Sequence, residues 1–292
     1  MDTSTVLIGV DWGGSNLRAF AIDARGRAGG QREIACPALS LAAGGHAAVL
    51  DRLIADWRRP GLPVLVCGMA GARNGWQEVA YCPCPADASA LAAGLLPVAA
   101  DIWLVPGVRY DAGTGIEVMR GEETQALGAA AAVDDIMLIC PGTHSKWIHI
   151  ENGQIRSFRS SITGELFDAL WSRWLPLVGP APAQTDWAAF ERGLAAGHAT
   201  PLLSALFSVR AGYATACLRP DEIHDYLSGL LIGAELAACD DMAAGRPRRI
   251  VGAAALSARY AHALALSGHR ATRLDAAACV AQGLSSIWQG RR

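Results

Sequence analysis

The chain lacks an excess of charge of either sign: 25 Lys and Arg stand against 27 Asp and Glu in 292 residues, a formal charge of −2. That excludes the electrostatic footprint of a nucleic-acid binder or of a protein held on an anionic membrane, so any anion must be bound locally. An apolar tract of membrane-spanning length is also missing. The longest tracts, around 91–100 and 227–239, are interrupted by Pro97 or carry Glu235. No basic leader precedes the first apolar run, where Asp2 stands, so a cytoplasmic protein without a signal peptide is expected. The eight cysteines lack metal-site spacing. Several lie in apolar runs such as Val64-Leu65-Val66-Cys67, and the tight pair Cys82-Pro83-Cys84 has no second pair or histidine cluster beside it. Reduced thiols acting as small apolar groups are the simplest reading. Apart from His144, the histidines show no clustering in the sequence.

What is present is apolar bulk and an internal repeat. With 52% hydrophobic residues the chain can bury a large core, and its length exceeds the usual size of one domain. Two stretches read as copies at a constant offset: Gly14-Ser15-Asn16-Leu17-Arg18-Ala19-Phe20-Ala21-Ile22-Asp23 and Gly142-Thr143-His144-Ser145-Lys146-Trp147-Ile148-His149-Ile150-Glu151. Each follows a buried-looking run, 6–10 and 136–140. A duplicated strand, small-residue turn and strand implies two like domains, each offering a tight loop to one ligand.

The coarse pattern supports this. Strands at 6–10, 17–23 and 31–35 form a meander, a helix is expected over 41–58, and strands follow at 64–67 and 102–105. The segment 113–117 reads as a polar, Gly-containing connection, and a helix opens at Arg120-Gly121-Glu122-Glu123 and runs to about 132. The second half repeats the plan with strands at 136–140, 145–150 and 154–160. Helices follow near 164–175, 187–197, 201–217 and 221–243, then a last short strand at 249–251 and a final helix over 276–288. The expected class is α/β, with two related sheets.

The first strand delivers Asp11 into Trp12-Gly13-Gly14-Ser15-Asn16. Glycines there allow close approach to phosphate and φ > 0, so that successive N–H groups point at oxygens. Asp11 repels phosphate directly, and its natural use is through Mg²⁺. Neither a Walker P-loop nor G-x-G-x-x-G is present, so the glycines need another explanation. Two phosphate hairpins facing one another across a cleft are the mark of the actin-like ATPase and sugar kinase superfamily, which the chain resembles in organisation. That resemblance implies a ribonuclease H-like fold in two related domains around a nucleotide cleft. It places Gly252 and Ala253, in Ile250-Val251-Gly252-Ala253-Ala254, at the adenosine.

Val10-Asp11-Trp12-Gly13, Cys67-Gly68-Met69-Ala70-Gly71 with Asn74-Gly75-Trp76, Arg120-Gly121-Glu122-Glu123-Thr124-Gln125, Pro141-Gly142-Thr143-His144-Ser145-Lys146 and Leu227-Ser228-Gly229-Leu230-Leu231-Ile232-Gly233-Ala234-Glu235 together resemble the 2-dehydro-3-deoxygalactonokinase family nearly end to end. The family more often has hydroxyl-bearing residues at Gly14-Ser15-Asn16, which shifts phosphate binding there toward backbone N–H groups. The resemblance implies transfer of the γ-phosphate of ATP to the 6-hydroxyl of a 2-keto-3-deoxy-galactonate in galactonate breakdown, with Mg²⁺. It also implies domains of 1–118 and 119–275, with the helix 276–290 returning to the first. The partners implied are a sugar acid and ATP, with neither nucleic acid nor membrane; a homodimer is left open.

Phosphoryl transfer to an alcohol needs positioning, charge neutralisation and a proton acceptor. Gly13, Gly14, Ser15 and Asn16 in one loop and Gly142, Thr143, His144 and Lys146 in the other are the phosphate candidates, with Asp11 for the metal. Glu122 or Glu123 is the base, with Glu122 preferred. A guanidinium suits the substrate carboxylate: Arg73 first, with Arg109 and Arg18 as rivals. Gly71, Asn74 and Trp76 complete the expected substrate loop. The competing readings are a kinase for another sugar or sugar acid, an actin-like ATP-switched regulator, and an exopolyphosphatase-like hydrolase.

Overall fold

The structure is a computed structural model describing residues 5–42, 44–130 and 135–291. The first apolar run forms β1 (Thr5–Trp12), followed by β2 (Asn16–Asp23) and β3 (Ala28–Ala35). Asp23 shapes the turn between β2 and β3, its Oδ1 accepting the N–H groups of Arg25 and Arg27 at 2.9 Å, with Gly26 in the left-handed region. Then come α1 (Gly45–Ile54), β4 (Val64–Gly68), β5 (Cys82–Pro83), α2 (Ala88–Ala93), β6 (Leu96–Ala99), β7 (Ile102–Leu104), β8 (Val108–Asp111), β9 (Ile116–Met119) and α3 (Glu122–Ala130). One sheet runs β3-β2-β1-β4-β7-β6, and a small one β5-β8-β9. In the large sheet β4 lies parallel to β1, Val66 beside Val10, and is buried along its whole length, as its unbroken apolar run requires.

The plan repeats with β10 (Asp135–Cys140), β11 (Ser145–Glu151), β12 (Gln154–Ser161), α4 (Thr163–Val178), α5 (Trp187–Ala199), α6 (Leu202–Ala214), α7 (Ile223–Cys239), β13 (Arg248–Val251), α8 (Ala254–Leu266), β14 (Ala271–Leu274) and α9 (Ala276–Gln289). The order β12-β11-β10-β13-β14 copies β3-β2-β1-β4-β7, so the repeat seen in the sequence is a repeat of topology. Two compact units result: one of 1–138, 148–158 and 274–292, the other of 139–147 and 159–273. In the first unit, α9 packs on α3 and on β1.

Several expectations change. The strand at 249–251 is not the last: β14 follows, an edge strand without a fully buried residue and therefore without an apolar run to announce it. The segment 113–117 is only partly a loop, because β8 and β9 form a hairpin closed by Ala112 N–H to the Gly115 carbonyl. The helix expected over 41–58 is confined to α1, whose buried His46, Leu50 and Ile54 recur every four residues. Residue 43 of that expectation, the end of the helix expected near 132, and Asp2 lie outside the described residues.

The first unit's core joins Ile8, Val10, Trp12 and Leu17 to Ile54, Val64, Val66 and Leu104. In the second, α5 and α7 cross at contact distance through glycines. A Cβ at Gly193 or Gly197 would stand 2.0 or 1.9 Å from the carbonyl oxygen of Tyr226 or Leu230, and one at Gly229 or Gly233 would stand 2.0 or 2.2 Å from that of Phe190 or Leu194. Backbone cannot yield as a side chain can. Gly229→Ala should therefore destabilise the protein by about 3 kcal/mol in a chemical denaturation experiment; a loss below about 0.5 kcal/mol would show the helices free to part. Among the described residues, no helix is long and apolar enough to cross a membrane.

Candidate active site

In the first unit Asp11 is the penultimate residue of β1, and the turn after the strand is closed by Gly13 N–H to the Asn16 carbonyl at 3.0 Å. Neither Gly13 nor Gly14 lies in the left-handed region, contrary to the expected φ > 0. A Cβ at Gly14 would meet nothing within 4 Å, so this glycine keeps its backbone open to approach from outside. The Asn16 amide is occupied, donating to Glu33 Oε1 at 2.9 Å. Arg18 donates to the same oxygen at 3.1 Å and stands 3.8 Å from Asp11. Burial pushes the Asp11 carboxyl up to about 6, against the pull of Arg18 and with a further push from the charge of Glu122.

Two left-handed glycines bring Asp11 and the start of α3 together. A Cβ at Gly68, where β4 ends, would stand 2.7 Å from the Trp12 carbonyl oxygen; one at Gly121 would stand 3.4 Å from the Cα of Gly68. The two glutamates then take different positions. Glu122 is half-buried, and its Oε2 accepts the Arg120 N–H at 3.2 Å. Glu123 is wholly enclosed, accepting the Gly121 N–H at 2.6 Å and the Thr124 hydroxyl at 3.2 Å.

Burial first, and the charge of Glu122 second, push Glu123 up to about 8. A folded-state pKa above the ordinary 4.5 means that the native state holds this proton more tightly than the unfolded chain. The associated stability is complete below pH 4.5 and is lost as pH rises through about 8. Glu123→Gln should remove that loss, leaving the melting temperature near wild type at pH 5 and raising it at pH 8.5. A variant that melts below wild type at pH 8.5 would refute the assignment.

The expected substrate loop leaves β4 at Gly68. Trp76 turns inward, stacked on the buried His46 with ring centroids 5.9 Å apart and set edgewise to Trp12 at 6.4 Å. It anchors the loop against the core. Asn74 and Arg73 lie at the exposed tip, Arg73 being 84% exposed in its side chain and 3.7 Å from Glu78. Arg109 is exposed on β8, away from that tip in the chain. Gly71 is buried, and a Cβ there would stand 2.9 Å from Nη1 of Arg120.

In the second unit Gly142, Thr143 and His144 turn between β10 and β11, with Thr143 and His144 exposed. A Cβ at Gly142 would meet nothing within 4 Å, as at Gly14. The loop rests on the start of α4: Glu165 N–H donates to the Thr143 carbonyl at 2.9 Å, and a Cβ at Gly164 would stand 2.4 Å from the Gly142 carbonyl oxygen. His144 pairs with Glu165 at 2.6 Å. Lys146, the sole lysine of the chain, is buried in β11 and donates to the His144 carbonyl at 3.1 Å. Gly252 lies against Pro141, and the exposed first turn of α8 after it has no side-chain cap, which leaves its N–H groups to other acceptors.

Sequence reasoning missed the group that holds this half together. Glu235, 4% exposed on α7, accepts four hydrogen bonds: Ser145 Oγ at 2.7 Å and Trp147 Nε1 at 2.8 Å from β11, Tyr260 OH at 2.7 Å from α8, and the Thr163 hydroxyl from α4. Its signal was a lone carboxylate in the apolar run 227–235. Histidine clustering was missed as well. In the first unit His149 gathers with Asp135 and Glu151, their ligand atoms within 4.8 Å of one another, but Arg156 pairs with Glu151 at 3.1 Å and balances the charge.

A family model described as 2-keto-3-deoxy-galactonokinase matches residues 11–287. The chain belongs to the 2-keto-3-deoxy-galactonokinase family. Two curated relatives agree with this. The 2-dehydro-3-deoxygalactonokinase of Escherichia coli K12 is 36% identical over 282 residues, covering 96% of each chain. A protein of Rhizobium meliloti 1021 named as a probable enzyme of the same kind is 36% identical over 304 residues, covering 99% of each. A crystal structure from Sinorhizobium meliloti carrying the same enzyme designation superposes with a TM-score of 0.86 at 34% identity, covering 97% of this chain and 96% of that one. The activator of 2-hydroxyisocaproyl-CoA dehydratase from Clostridium difficile, solved with ADPNP, shares the fold alone, at a TM-score of 0.56 and 12% identity, covering 98% and 95%. This 2-keto-3-deoxy-galactonokinase family member is thus a sugar-acid kinase of the actin-like ATPase fold that uses ATP.

Proposed function

We propose that the protein transfers the γ-phosphate of ATP to the 6-hydroxyl of 2-dehydro-3-deoxy-D-galactonate, with Glu122 as the general base. One observation carries the base assignment: Gly68 and Gly121 pack the start of α3 against the end of β1, so that Glu122 shares its surroundings with Asp11, whose carboxyl it pushes up. Glu123, enclosed and already accepting two hydrogen bonds, is unsuited to meeting a substrate hydroxyl. A base must lie within hydrogen-bond reach of the proton it takes.

Asp11 fits a hard divalent cation. It is a carboxylate at the foot of an open glycine turn, and its burial raises the cost of holding the negative charge alone. Mg²⁺ bound there would neutralise charge on the β- and γ-phosphates. Thr143, Lys146 and the backbone of 142–144 bind the phosphates, as do the N–H groups of 13–15. Gly252 and Ala253 face the adenosine, and Arg73 and Asn74 form the rim of the sugar site. His144, paired with Glu165, fixes the loop.

The test is ADP release in the presence of the keto acid, of its gluco epimer and of a neutral hexose, with the phosphorylated carbon assigned by NMR. Phosphate at the 6-position of the galacto acid is expected. Turnover of the hexose in preference to the keto acid would overturn the proposal.

A further inference from the structure

Arg120 is 9% exposed, and its guanidinium is incompletely paired. Nη2 donates to the Val79 carbonyl at 2.8 Å, and the group lies over the Tyr81 ring, 4.3 Å from its centroid. Nε and Nη1 are buried without a hydrogen-bond partner, and among the described residues no carboxylate pairs with Arg120. A buried guanidinium with unclaimed N–H groups is destabilising unless an acceptor arrives. Val79 takes one of the two Nη2 hydrogens, which leaves one complete edge of the planar fork for an acceptor with two in-plane oxygens.

The walls around the guanidinium belong to the expected substrate loop. Gly71, Val79 and Tyr81 all lie between β4 and β5, and Gly71 faces Nη1 with no side chain. On its other side the chain continues directly into Gly121 and Glu122. The other arginines considered for the carboxylate are placed differently: Arg18 is held by Glu33 and Asp11, Arg73 stands in solvent near Glu78, and Arg109 is exposed on β8.

The geometry points to Arg120 as the residue that receives the substrate's carboxylate, with the segment 69–81 parting to admit it and closing over the pair. This rests on the sugar-acid reading above. The acid end of the substrate is then fixed two residues from the base, and a neutral sugar of the same size leaves the guanidinium unpaired. Rejection of neutral analogues follows from that penalty without any steric clash.

The test compares wild type, Arg120→Gln, Arg120→Lys and Arg73→Gln with the keto acid and with its carboxamide. Wild type should prefer the acid. Arg120→Gln should lower kcat/KM for the acid by about 100-fold and change that for the carboxamide less than about threefold, while KM for ATP holds. Arg120→Lys keeps the charge but not the fork, and should recover only part of the loss. Thermal protection supplies a measurement independent of turnover: ADP should still stabilise both Arg120 variants, whereas the acid should not stabilise Arg120→Gln and should stabilise Arg120→Lys less than wild type. Acid preference retained in Arg120→Gln, or lost in Arg73→Gln instead, overturns the assignment and leaves the sugar-acid reading standing. A wild type indifferent to acid and carboxamide overturns both.

Discussion

Replacing Glu122 by Gln should lower kcat by about 10³-fold and leave KM for ATP and for the sugar acid within about threefold, since general-base catalysis contributes on that scale and the amide keeps the shape. The local fold should survive the change. Glu122 accepts the Arg120 N–H, and a glutamine carbonyl oxygen can accept it equally. Removing one negative charge beside Asp11 should also let that carboxyl ionise more readily, because the charge of Glu122 is one of the causes that hold it up. The variant should then bind the cation no worse than wild type at pH 6, which separates loss of the base from loss of the metal. Single-turnover chemistry within tenfold of wild type would remove Glu122 from the role. A loss of that size in Glu123→Gln instead would move the role to its neighbour.

The second large effect is on stability. Glu235→Ala should cost about 3–5 kcal/mol, because it deletes one carboxylate and strands up to four donors, three of them on fully buried side chains, Ser145, Trp147 and Tyr260. Tyr260→Phe removes one hydroxyl, which lies 2.7 Å from Glu235 and 3.3 Å from Ser145 Oγ, and should cost about 1 kcal/mol. Glu235→Gln falls between them, since an amide nitrogen meets donors where the carboxylate oxygen accepted. Urea denaturation measures the series. If Glu235→Ala loses no more than Tyr260→Phe, the hub is dispensable. Where the variants still fold, KM for ATP should rise more than KM for the sugar acid, because β11, α4 and α8 all border the loops proposed to bind phosphate and adenosine.

The parts of this fold that could be read from the chain are those in which one residue type decides the local structure. Unbroken apolar runs marked β1, β4 and β10, and the duplicated turn marked the shared topology. Edge strands such as β14 bury too little to leave a pattern. In the candidate site, Asp11, Glu122 and Thr143 could be proposed from the chain because each has a glycine within two positions, Gly13, Gly121 and Gly142. Arg120 and Glu235 could not, because their importance lies in what surrounds them. A guanidinium with unclaimed donors and a carboxylate with four acquire that character only when distant segments meet. Trp76 illustrates the converse: its position in a promising motif concealed an ordinary packing role against His46 and Trp12.

Lys146 gives the chain an unusual chemical handle. Every other side-chain cation that is charged at all pH values of interest is a guanidinium, so amine-directed reagents have one ε-amino target in the sequence, buried at the start of β11 beside the loop proposed to bind phosphate. Reductive methylation with ¹³C-formaldehyde would place one side-chain NMR probe at that loop without mutagenesis. The rate of that labelling with and without nucleotide would report directly on how often β11 releases its amine.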